Sequence, residues 1–187
     1  ITAQLILAAL LTKSDFGKFA EVVLIVSLAG IGQQLGIVEI LIRHHRRFRV
    51  WAEIGFWISV TAGLLGALIV IAIAPFAGLV FRDAAGLWKL LLIAAVGMPL
   101  DAMALTPMAK LRSDLRFRDV ALIGFSTTVA TAILNVSFAF AGLGVTGLVL
   151  TRTLVSAGVM VTAFLVSGYR PSWHPHVRRW HMLLRDS

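Results

Sequence analysis

EIGFWISVTAGLLGALIVIAIAPFAGLVF, residues 53–81, carries no charged residue after Glu53. A bilayer's hydrocarbon core is about 30 Å thick, and a helix rising ~1.5 Å per residue crosses it in about 20 residues. The run is long enough, and Pro75 near its end marks where the helix kinks or stops. The run lacks the period-two alternation of a barrel strand, and open strands cannot satisfy their backbone in lipid. The segment therefore reads as a membrane-spanning helix.

The same pattern recurs on both sides of it. Further spans are expected over residues 17–42, 86–110, 118–142 and 145–168, and the connections are short enough that neighbours pack antiparallel. Residues 1–12 are apolar but too short to cross. They read as the tail of a truncated first helix rather than a signal-peptide core, because no basic segment precedes them. The polar stretch TKSDFGK follows, with Ser14 or Asp15 placed to cap the next helix. The fold class expected is an all-α integral membrane protein, with a transmembrane unit over 1–168 and a basic linker over 169–187.

Composition agrees. Hydrophobic residues fill 59% of the 187 positions, only 14% are charged, and the mean hydropathy is +0.92, more than a soluble core can enclose. A formal charge of +8 suggests nucleic acid only when cations share one surface. Here they lie between apolar runs, so no nucleic-acid partner is expected. Absence of cysteine excludes disulfides and thiolate-bound zinc. Arg43, Arg46, Arg47 and Arg49 lie in the 43–50 loop. Lys110, Arg112, Arg116 and Arg118 lie at 110–118, and Arg170, Arg178, Arg179 and Arg185 in the tail. Together these are 12 of the 17 basic residues, all on one side of the membrane. The positive-inside rule puts both loops and the C-terminus in the cytoplasm of a multi-pass protein.

Polar residues inside spans are the candidate site. Arg152, a third of the way through the last span, costs about 3 kcal/mol at the bilayer centre and calls for a partner or a wet cavity. Its alternatives are snorkelling, a structural pair with Asp101 or Glu39, both nearer the basic ends of their helices, or an anion-binding role. Asp101 and Glu39 are themselves either ion-coupling carboxylates or partners of the loop arginines. Gln33, Gln34 and Asn135 suit hydrogen bonds between helices. Pro99 and Pro107 bracket Asp101, so an irregular helix is expected there. His44, His45, His174, His176 and His181 have no acidic or thiol companions, so no metal is expected. The Trp-bearing basic tail suits an anionic membrane surface. No phosphate loop, nucleophile elbow or metalloprotease motif is present, so no enzyme activity and no cofactor are expected.

Four segments carry a family resemblance: LLTKSDFGKFA (10–20), TPMAKLRSDLRFRDVALI (106–123), FAFAGLGVTGLVL (138–150) and YRPSWHPHVRRWHMLLRDS (169–187). In this order and spacing they resemble oligosaccharide flippases of the multidrug/oligosaccharidyl-lipid/polysaccharide exporter superfamily. The resemblance implies a six-helix lobe, its first helix truncated, from a two-lobe fold in the bacterial cytoplasmic (inner) membrane, with 169–187 leading to a missing C-terminal lobe. It further implies alternating-access transport of a polyprenyl-diphosphate-linked O-antigen or exopolysaccharide unit. Arg152 would meet the diphosphate. Gln33, Gln34 and Asn135, as polar span residues, are further candidates for diphosphate or sugar contacts, and Glu39 and Asp101 for ion coupling. Membrane lipids and polysaccharide assembly proteins are the other partners implied. Arg152 stands where the family often has a neutral residue, and Gln34 where it often has an acid. A drug or cation antiporter of the same superfamily, or a non-transporting subunit recruiting glycosyltransferases, are the alternatives.

Overall fold

The computed structural model describes residues 12–30, 48–77 and 86–169. They form five α-helices and no strand: α1 Lys13–Ala29, α2 Phe48–Ile73, α3 Leu87–Ser113, α4 Phe117–Phe140 and α5 Gly144–Ser167. Four of these, α2 to α5, are long and apolar enough to cross a membrane. The described residues thus hold an all-α bundle of five helices, not six. The stump at 1–11 and the second half of the span expected over 17–42 lie outside them.

Local chemistry explains the boundaries. Helix α1 begins at Lys13, ahead of the expected residue 17, because Thr12 and Asp15 form a capping box. Asp15 N donates to Thr12 Oγ1 at 3.2 Å, and Thr12 N donates back to Asp15 Oδ2 at 3.0 Å. The cap is therefore Thr12, not Ser14, and Asp15 sits at the third helical position, where its side chain reaches back. Helix α2 stops at Ile73, and a single 3-10 turn, Ala74–Phe76, accommodates Pro75 near its start, where a missing N–H costs nothing. Helix α3 runs unbroken through Pro99 and Pro107, where irregularity is expected. Neighbouring helices on both sides hold it in place, as they do for prolines in membrane helices.

Helices α3 and α4 end in the same way. After α3, Arg116 N donates to Leu111 O at 2.9 Å and Leu115 N to Arg112 O at 3.1 Å. After α4, Leu143 N donates to Phe138 O and Gly142 N to Ala139 O, both at 3.1 Å. Each pair of bonds is a Schellman closure, which needs one left-handed residue. Gly142 supplies it at φ 73°, but after α3 the residue is Leu115 at φ 55°. A side chain in that region costs roughly 1–2 kcal/mol.

Helix α3 is the centre of the bundle, flanked by α2 and α5, while α4 packs chiefly on α5. At Gly63 of α2 a Cβ would lie 2.6 Å from Ala102 Cβ and 3.2 Å from the Met98 carbonyl, so the absent side chain is what lets α2 approach α3. Val22 and Val26 of α1, Val70 of α2, Leu91 and Met98 of α3 and Val149 of α5 share one apolar core.

Cross-links between helices settle their directions. Thr153 Oγ1 donates to Ile93 O at 3.1 Å within the first half of both α3 and α5, and Lys110 Nζ donates to Ser167 O at 2.8 Å near their C-terminal ends. Those two helices therefore run parallel. Tyr169 Oη donates to Ala52 O at 3.2 Å, which makes α2 antiparallel to both. Lys110, Arg112, Arg116 and Arg118 consequently gather at one end with the exit of α5, as the charge distribution requires. Asp15 lies beside Gly144 at the opposite end.

The exit of α5 is held firmly. Besides Lys110, Arg116 donates to Val166 O at 3.0 Å and pairs with Asp119 at 2.7 Å. Tyr169 packs beside Phe56 and Phe164. Burial, with the Glu53 carboxylate adding to it, pushes the Tyr169 phenol well above its ordinary range.

Candidate functional site

Between α1, α3 and α5 lies a cavity of about 200 Å³, lined by Val26, Ser27, Gly30, Met98, Asp101, Leu105 and Arg152. Its position follows from the helix sequences. Gly30, the cap that follows α1, lines it without a side chain of its own. Gly97 of α3 faces Thr153 of α5, drawing those helices together just above the cavity.

Two charges face this space. The Arg152 guanidinium acts on the Asp101 carboxylate, and the Ser156 hydroxyl, one helical turn beyond Arg152, is within its hydrogen-bonding reach. The two charges do not close to the 4.0 Å of a salt bridge; among the described residues Arg116–Asp119 is the ion pair that does. Both residues remain exposed to the space around them. Opposite charges held further apart than a salt bridge can admit a polar or charged guest between them. A closed buried pair would have to be broken first.

The structure thus joins two residues that sequence spacing leaves apart. Asp101 lies further towards the basic end than Arg152 does, yet the parallel register of α3 and α5 brings it within the field of the guanidinium. Asn135 is placed elsewhere. It sits on α4, does not line the cavity, and its Oδ1 is buried without a hydrogen-bond partner. Gln33, Gln34 and Glu39 lie outside the described residues. Ser27, Met98 and Ser156 join the site without having been singled out; nothing in their sequence context distinguishes them from other small or apolar span residues.

Glu21 is the other polar residue of interest. It lies within α1, and one carboxylate oxygen is closed off without a hydrogen-bond partner. Among the described residues no three His, Asp or Glu side chains converge as metal ligands.

The sequence profile of a family described as polysaccharide biosynthesis protein matches residues 6–185. No curated protein and no solved structure matches the chain. Since the match takes in the opening of α1, all four spanning helices and the basic tail, the chain belongs to the polysaccharide biosynthesis protein family.

Proposed function

We propose that this protein forms a six-helix lobe of a two-lobe flippase. In this reading it moves a polyprenyl-diphosphate-linked oligosaccharide, an O-antigen or exopolysaccharide unit, across the bacterial cytoplasmic membrane by alternating access. Membership in a polysaccharide biosynthesis family supports the glycan class. The observation that carries the mechanism is the unclosed Asp101–Arg152 pair in the α1–α3–α5 cavity. Arginine presents a planar fork of donors suited to phosphate oxygens. When a diphosphate enters, it takes the guanidinium from Asp101, leaving that carboxylate to pick up a proton or cation. Loading substrate and loading the coupling ion are then linked through one pair of side chains. Glu39 is assigned to ion coupling, and Gln33, Gln34 and Asn135 to substrate contacts, on their being polar residues within the expected spans.

The basic end, with the 43–50 and 110–118 loops and the tail, faces the cytoplasm in this reading. A cation antiporter would favour a cavity rich in carboxylates, whereas the one Asp101 here is offset by Arg152.

Reconstituted flipping of a fluorescent polyprenyl-diphosphate sugar tests the proposal. Arg152→Ala is expected to slow transport about ten- to hundredfold, the worth of a charged hydrogen bond. Arg152→Lys should retain much of it. Full activity in the alanine variant overturns the anion role, and no flipping by the unsubstituted protein joined to its partner lobe overturns transport itself.

A further inference from the structure

The basic junction between α3 and α4 divides its cations between two tasks. Lys110 and Arg116 turn onto the last carbonyls of α5, with Arg116 also pairing with Asp119. Arg112 and Arg118 are exposed and make no hydrogen bond or ion pair with any described residue. Between them stand Leu115, 72% exposed, and Phe117, 60% exposed. Leu115 occupies the left-handed closing position that the equivalent turn after α4 gives to Gly142. A leucine there strains the backbone and gains almost no packing within the chain. Its side chain is instead held outward, beside two guanidinium groups that pair with no described residue, at the end of four membrane-length helices.

We infer that the Arg112–Arg118 junction is a docking site for an anionic phospholipid, with the two arginines on the lipid phosphate and Leu115 and Phe117 among the upper acyl chains. Amphipathic side chains of this kind settle where apolar and wet surfaces meet. Asp114 is the exposed acid of the junction and reduces but does not cancel the positive field, because Asp119 is already engaged by Arg116. The strained leucine anchors the turn in the membrane interface, and the arginines choose the headgroup. Since Lys110 and Arg116 of the same junction clasp α5, an occupied lipid site steadies the exit of that helix.

The chain has no cysteine, so Ala121→Cys, exposed one turn into α4, accepts a single fluorophore. The labelled full chain is reconstituted in phosphatidylcholine vesicles containing matched fractions of spin-labelled phosphatidylglycerol or spin-labelled phosphatidylcholine. Phosphatidylglycerol is expected to quench at a roughly tenfold lower mole fraction, given what two cations near a surface contribute. R112Q/R118Q should remove most of that preference, leaving what the tail gives, and R112K/R118K should keep it. Each single glutamine variant, less prone to misfold, should lose about threefold. Equal quenching by both lipids, or a preference that R112Q/R118Q leaves undiminished, overturns the inference. So does displacement of the lipid by millimolar inorganic phosphate, which marks a soluble-anion site. The tail is present in every variant and contributes equally.

Discussion

Arg152 and Tyr169 show how much a single side chain can hold in this protein. An arginine in a span is legible as costly from sequence, but whether it is neutralised, snorkels or waits for a ligand depends on what faces it. Here it faces Asp101 without closing on it, which is why the transport assay with Arg152→Ala and Arg152→Lys is decisive. A structural pair would instead show itself as lost stability in both variants. Tyr169 is the chain's one tyrosine, so its titration is read without overlap. Its phenol is held above the ordinary value of 10.0 by burial first and Glu53 second. The folded protein therefore keeps its proton where the unfolded chain releases it. The stabilisation is fully present below about pH 10 and declines above it as only the unfolded state ionises. Phenolate absorbance should stay absent through pH 10 in the native protein and appear on denaturation. Tyr169→Phe should remove that part of the alkaline loss of stability. A native protein titrating near pH 10 contradicts the buried placement.

At the level of helices and turns, two positions set geometry by what they lack or endure. Gly63 allows α2 to lie against Ala102 and the Met98 carbonyl of α3. Gly63→Ala should destabilise the bundle by about 1–3 kcal/mol, as overpacking a tight interface does. Thermal unfolding in detergent checks this, and an unchanged midpoint would mean the contact is slack. Leu115→Gly should act in the opposite sense, relieving a left-handed side chain and stabilising the chain in detergent by about 1 kcal/mol. In vesicles the same variant should weaken the phospholipid preference. The sequence makes Pro75 legible as an end, because a proline near the close of an apolar run has few other roles. It makes Thr12 hard to read, since the cap is also the last residue of an apolar stretch. Nor does it disclose that α3 passes through two prolines unbroken, because the support comes from neighbouring helices rather than from α3.

For the molecule as a whole, the basic ends of α3 and α4 and the exit of α5 meet on one side, and Asp15 and Gly144 on the other. With the basic side in the cytoplasm, Leu143→Cys should react with a membrane-impermeant maleimide in intact cells. Arg118→Cys should react only after permeabilisation. Inverted labelling would reverse the orientation and the proposed direction of transport. The four membrane-length helices α2 to α5 could be anticipated because they depend on run length and hydropathy, both local quantities. The linear sequence also determined that the protein lives in a membrane and which ends of its helices are basic. Only the tertiary structure decided that Asp101 meets Arg152 while Asn135 stands apart, and that Lys110 and Arg116 clasp α5 while Arg112 and Arg118 do not. Those outcomes depend on the register between packed helices, set by close contacts such as Gly63 on Ala102 and Thr153 on Ile93, and no periodicity within one helix encodes it.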